Sequence, residues 1–199
     1  MKTRILGLAA VALLAGPMTA NAVYIVTATE TGGGVVFTGS GSLNLAAWRA
    51  PGSPSNRVGG IQPAGADVGL LLGSDSPVPV GDYLIGSNFD GPASFGTGTS
   101  FAYSSSGTGD YVGINPVYTA LFVPFGYTSG NPLSGSSTFD AATFASLGLS
   151  AGVYVWTWGL DATADSFILK IGTSVPEPGT LALMGLGLVG LGFMRRRKA

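Results

Sequence analysis

Along the middle of the chain, apolar and polar positions alternate with a period of two, and an uninterrupted apolar run flanks that middle on each side. The alternation is clearest late in the chain. Tyr154, Trp156 and Trp158 share one face of the run from Val153 to Trp158. Phe167, Leu169 and Ile171 share one face of Ser166 to Ile171, with Lys170 pointing the other way. Gly159 to Asp165 would join these two runs as a hairpin. Earlier, the β-branched and aromatic stretches 23–29 and 35–38 are separated by the turn cluster Gly32-Gly33-Gly34. Further strands are predicted at 68–72, 82–85, 100–103, 111–114 and 118–125. A single helical turn fits between Phe139 and Leu149, with Asp140 as its N-cap. Short strands punctuated by Gly, Pro, Asn and Ser predict an all-β domain over 23–174, an antiparallel β-sandwich of jelly-roll type.

The flanking runs read differently. At the N-terminus, Lys2 and Arg4 precede the apolar run Ile5 to Gly16, and Ala20-Asn21-Ala22 follows. That order is a secretory signal peptide over 1–22, with small residues Ala20 and Ala22 at −3 and −1 of a cut by signal peptidase. The run is far shorter than the ~20 residues that span a bilayer. At the other end, Val175-Pro176-Glu177-Pro178 is followed by Gly179 to Met194 without a charge, then by Arg195, Arg196, Arg197 and Lys198. The apolar stretch predicts one transmembrane helix over 179–194. The basic tail, 195–199, should stay on the cytoplasmic side as the membrane stop. Pro176 and Pro178 remove two backbone donors and keep the peptide before the helix extended.

Composition narrows the chemistry. The 199 residues include 33 glycines and 12 prolines but no cysteine and no histidine. No disulfide, no Ser-His-Asp or Cys-His nucleophile and no zinc site on those ligands can exist. The formal net charge of −1 hides an asymmetry. Between the flanking runs the basic residues are Arg49, Arg57 and Lys170, against the acids Glu30, Asp67, Asp75, Asp82, Asp90, Asp110, Asp140, Asp161 and Asp165. Phosphate backbones would repel so acidic a domain, so nucleic acid is not an expected partner.

Catalysis would then need a carboxylate pair or a Ser-Lys dyad around Lys170, which has no S-x-x-K motif, and Glu30 is the one glutamate before the tail. No catalytic activity and no cofactor are expected. Asp161 and Asp165 flank a loop and could contribute to calcium binding, yet no D-x-D-x-D-G run occurs. Tyr154, Trp156 and Trp158 could stack on sugar rings as a glycan platform, or could form an inward core face; the second is expected, because large aromatics dominate cores. Gly96 to Thr99 lacks the ending of a phosphate loop and reads as a turn.

The tripartite tail over 175–199 resembles the PEP-CTERM sorting signal of Gram-negative bacteria. The resemblance implies recognition and cleavage near Pro176-Glu177-Pro178 by an integral-membrane exosortase. It also implies a precursor held transiently in the inner membrane, then a cell-surface or extracellular protein associated with exopolysaccharide and biofilm. The run 143–172, with Ser146-Leu147-Gly148-Leu149, Trp156-Thr157-Trp158-Gly159 and Ala164-Asp165-Ser166-Phe167, is similar to the endings of other proteins that bear this signal. It implies one β-domain running up to the tail and brings no activity with it. Two functions are therefore expected: a non-enzymatic surface or matrix protein, or a carbohydrate-binding or calcium-dependent adhesive module.

Overall fold

The computed structural model describes residues 22–49, 53–85 and 88–172. The expected sorting motif, the 179–194 span and the basic tail lie outside the described residues, as does the expected signal peptide apart from Ala22.

The described chain is nearly all β. Its strands are β1 (Val23–Thr31), β2 (Gly34–Gly41), β3 (Trp48–Arg49), β4 (Ser55–Arg57), β5 (Gly60–Gln62), β6 (Gly69–Leu72) and β7 (Val78–Ile85), followed by β8 (Ala102–Tyr103), β9 (Ser106–Gly109), β10 (Val112–Asn115), β11 (Ala120–Pro124), β12 (Leu133–Asp140), β13 (Gly152–Trp158) and β14 (Asp165–Ile171). Two sheets result. A six-stranded sheet runs β13-β14-β1-β2-β12-β9, and an eight-stranded sheet runs β3-β7-β11-β10-β6-β5-β8 with β4 beside β7. Among the described residues every strand pair is antiparallel except one. β14 pairs with β1 in parallel, with Val23 opposite Ser166 and Ala28 opposite Ile171, which corrects the purely antiparallel expectation.

One core lies between the sheets. On β14 the strict alternation puts Phe167, Leu169 and Ile171 inside. Their register neighbours on β1 are Tyr24, Val26 and Ala28, also buried. From the other sheet come Ile61, Leu70, Leu72, Val112, Ile114, Leu121 and Val123. Burying these side chains is the main stabilising term of the domain.

The two sheets join along one side and stay apart along the other, so the pair curls into a half-barrel. On the closed side, β8 ends one sheet and β9 begins the edge of the other, with only Ser104 and Ser105 between them. A strand that bends from one sheet into the next makes such a corner. The Ser104 amide donates to the Gly59 carbonyl at 3.0 Å and the Ser105 amide to the Thr138 carbonyl at 2.7 Å. The Ser137 hydroxyl accepts from the Gly73 amide and donates to the Gly73 carbonyl, both at 3.2 Å. Backbones touch here: a Cβ on Gly107 would lie 1.7 Å from the Gly73 carbonyl oxygen.

On the open side, aromatic rings fill the gap. Trp48 meets Trp158 edge-on with centroids 5.2 Å apart, and Phe95 meets Trp156 at 6.3 Å. The segment after β7 lies along the free edge of β13, where Asp90 and Thr157 exchange both backbone hydrogen bonds at 3.0 and 2.8 Å. That edge is thus partly closed to pairing with another chain.

The expected helical turn is present as one turn, but Asp140 does not cap it. Asp140 is the last residue of β12. The cap is Thr143, whose hydroxyl accepts from the Ser146 amide at 3.0 Å while the Ser146 hydroxyl accepts from the Thr143 amide at 2.8 Å. Gly148, at φ +65, ends the turn. The Gly148 amide donates to the Ala145 carbonyl and the Leu149 amide to the Phe144 carbonyl, both ends of a Schellman closure.

Candidate functional site

The outward face of the eight-stranded sheet carries a groove of about 390 Å³. Its origin is a row of side chains across the sheet. In register, Tyr103 of β8 faces Gly60 of β5, which faces Leu71 of β6, then Gly113 of β10, Phe122 of β11 and Asp82 of β7. Gly60 and Gly113 leave that row low around Leu71, and Gly69 lowers the floor again two residues along β6.

Each low point has its own cause. A Cβ on Gly60 would meet the Phe101 ring at 2.4 Å, so Phe101 lies directly over that glycine. A Cβ on Gly113 would meet the Leu70 carbonyl oxygen at 2.5 Å. The walls are aromatic. Phe101 and Tyr103 stand edge-to-face, centroids 4.9 Å apart, on one side. Phe122 forms the other, with the Arg57 guanidinium 5.2 Å from its ring centre. Tyr103 is 69% exposed at the rim.

The polar groups of the groove are held from behind. Arg57 Nη2 donates to Asp82 Oδ2 at 2.6 Å, and the Ser55 hydroxyl donates to Asp82 Oδ1 at 2.7 Å, so the guanidinium is fixed over Phe122. Asn115 is buried; its Oδ1 accepts from the Val117 and Tyr118 amides at 3.1 Å, and its Nδ2 donates to Asp67 Oδ1 at 2.9 Å. The Tyr111 hydroxyl donates to the Val58 carbonyl at 2.7 Å, and burial raises its pKa well above the usual tyrosine range. Asn56 lines the groove with its side-chain amide unpaired among the described residues. The result is an aromatic trough with a planar cation, two amides and one carboxylate at its borders.

The residues singled out from sequence fall elsewhere. Trp156 and Trp158 are buried, at 0% and 1% exposure. Their indole N–H groups donate inward, to the Pro92 carbonyl at 2.8 Å and the Asn44 carbonyl at 3.2 Å. Tyr154 is half-buried and packs against Phe95, centroids 6.2 Å apart. The three side chains lie on the core face, and the rings of Trp156 and Trp158 are closed to a sugar.

Asp161 is exposed, whereas Asp165 is buried and accepts from the Asn44 and Ser166 amides, each at 2.6 Å. Burial pushes the Asp165 carboxyl up to about 6, against the pull of those two amides. Among the described residues no three carboxylates gather as a metal site. The Glu30 carboxylate accepts from the Phe144 amide and so anchors the capped turn. Lys170 lies across from Val153 and Thr27 on the outer side of the six-stranded sheet.

The groove could not be found by spacing, since its residues come from β4, β5, β6, β8, β10 and β11 and the loops beside them. The one local signal was a glycine inside an apolar run, Val68-Gly69-Leu70-Leu71-Leu72.

The last of the described strands ends at Ile171, a few residues before Val175-Pro176-Glu177-Pro178. The family model of the PEP-CTERM protein-sorting motif matches residues 174–198. The C-terminal end therefore carries a PEP-CTERM sorting motif, which implies an exosortase-targeted exported protein. No curated protein and no solved structure matches the chain.

Proposed function

We propose that the protein is a non-enzymatic surface or matrix component, exported, cut from its membrane anchor by an exosortase, and deployed among exopolysaccharide as a β-sandwich domain. The observation that carries this reading is the sorting motif at 174–198 directly behind the last strand. The signal-peptide pattern up to Ala22 supports entry into the export route. The charge-free stretch Gly179–Met194 ahead of Arg195 to Lys198 supports a stop in the inner membrane, because basic residues resist translocation at a cost of about 2.5–3.5 kcal/mol each at the bilayer centre. Held there, Pro176-Glu177-Pro178 would stand at the outer interface, rigid at two prolines and charged at Glu177 alone. Signal peptidase and exosortase are the processing partners on this reading, and nucleic acid is none.

The test is Glu177→Ala in cells that carry the exosortase. The expected product is an anchored precursor, heavier than the processed wild type by the mass of the tail. A Glu177→Ala protein running at the processed mass would leave the tail an ordinary anchor. Of the two adhesive alternatives, saccharide or calcium binding, the groove on the eight-stranded sheet supports the first.

A further inference from the structure

We propose that the groove between Phe101–Tyr103 and Arg57–Phe122 binds a neutral saccharide, taking one or two pyranose units of a longer glycan. The proposal rests on the matrix reading only for where that glycan is met; the site itself stands on the groove.

The floor gives the first argument. Glycine inside a strand costs about 0.5–1 kcal/mol relative to alanine, and it often marks a place where a ligand approaches the backbone. Gly60 and Gly113 are explained by the ring and the carbonyl that would collide with a Cβ. Gly69 has no such reason. A Cβ there would meet nothing nearer than the Ile114 carbonyl oxygen at 3.5 Å, an ordinary contact, and Gly69 needs no left-handed φ. A side chain would fit the protein at this point and would fill the groove. The open space above Gly69 is what the glycine provides.

The walls and borders give the second. A pyranose ring has a C–H face and a rim of hydroxyls that each donate and accept. Aromatic rings suit the first, and amides, a carboxylate and a guanidinium fork suit the second. The groove supplies both within one trough. Asp67 Oδ2, the second Nδ2 proton of Asn115, the Asn56 amide and the unused N–H groups of Arg57 have no partner among the described residues. At about 390 Å³ the space is at the lower end of the ~300–1,000 Å³ of ligand pockets, which fits a short saccharide segment.

Charge decides which saccharide. Arg57 is neutralised by Asp82 at 2.6 Å, which leaves Asp67 as the uncompensated charge of the groove. The surrounding domain carries Glu30 and eight aspartates against three basic residues. An anionic sugar would be repelled locally and at range, while a neutral one would not.

The experiment is calorimetric titration of the full chain in a non-glycosidic detergent. The probes are neutral tetrasaccharides of β-1,4-glucan, α-1,4-glucan, β-1,4-mannan and chitin, with tetragalacturonate as the anionic counterpart. The expected result is saturable binding of at least one neutral probe at one site per chain, with tetragalacturonate at least tenfold weaker. Gly69→Val, which fills the floor, and Tyr103→Ala, which removes an exposed ring, should each weaken binding at least tenfold. If either variant fails to fold, the other decides. The proposal is overturned if no neutral probe saturates, if the folded variants bind like wild type, or if tetragalacturonate binds as tightly. Tail processing is read separately by mass in the producing cells. A chain that is cut normally but binds no saccharide sinks the groove alone, and one that binds but is cut regardless of Glu177 sinks the sorting reading alone.

Discussion

Where β8 runs on into β9 the two sheets meet through Gly59, Gly73, Ser104, Gly107 and Ser137, while along β13 and β3 they are held apart by Trp48, Phe95, Trp156 and Trp158. On the first side the spacing is set by backbone against backbone, with only the small hydroxyls of Ser104 and Ser137 between. On the second it is set by the volume of rings, which can be trimmed or exchanged. The same fold therefore has one side that tolerates no added atom and another that responds in proportion to what is taken away.

The largest effect should come from breaking the tight side. Gly107→Ala puts a Cβ 1.7 Å from the Gly73 carbonyl oxygen, where no rotamer change relieves the clash. We expect a loss of about 4 kcal/mol or more, seen as insoluble protein or a collapsed urea midpoint. A wild-type midpoint would show slack in the seam.

On the ring side, Trp156→Ala removes a fully buried indole and its hydrogen bond to Pro92, and should cost about 3–5 kcal/mol. Trp156→Phe should recover more than half of that loss in the same urea titration. Equal losses for the two variants would mean that volume does not govern this side.

The next effect sharpens the contrast through pH. Asp165 sits at the ring side, and its folded carboxyl is raised to about 6 from an ordinary 3.8. Above about 6 both folded and unfolded chains are ionised, and the folded one alone bears the burial of the charge. As pH falls from 7 to 4 the folded state takes up the proton first, so stability should rise, by about 2–3 kcal/mol at most. Urea midpoints across that range report it, and Asp165→Asn should flatten this rise. A wild-type midpoint that falls steadily from pH 7 to 4 would contradict the assignment.

The smallest effect returns to the seam. Ser137→Ala adds nothing and only strips the hydroxyl from the Gly73 amide and carbonyl, for about 1–2 kcal/mol in thermal or urea unfolding. If it cost as much as Gly107→Ala, hydrogen bonding rather than close contact would be holding the sheets together.

The same contrast explains what could be read from sequence. β1, β2, β13 and β14 face the rings with Tyr24, Phe37, Trp156 and Phe167, so their alternation is plain. β5, β9 and β12 carry glycine and serine at many of their seam positions, and Gly60-Ile61-Gln62, Ser106 to Gly109 and Leu133 to Asp140 look like loop. Small residues are poor strand formers by propensity, and contact between sheets overrides that here. Hence the start of the presumed helix at Phe139 is the end of β12. The parallel pairing of β1 with β14 left no local trace either, since it depends on residues more than a hundred positions apart. The sorting signal was legible because it is one contiguous peptide. The groove was not, because sheet pairing alone brings Gly69, Tyr103 and Phe122 together.

That parallel pair also has a meaning in time. A chain threaded through a membrane from its N-terminus releases β1 first and β14 last, yet in the finished sheet β14 covers one whole edge of β1. Until residues 165–171 emerge, that edge has no partner and the β13–β14 hairpin has nowhere to dock. The strand that completes the sheet is followed within a few residues by the start of the sorting signal at 174. On the proposed export route, closure of the domain and presentation of the motif would therefore fall together, and a domain still short of β14 would not yet have shown Pro176-Glu177-Pro178 to the protease.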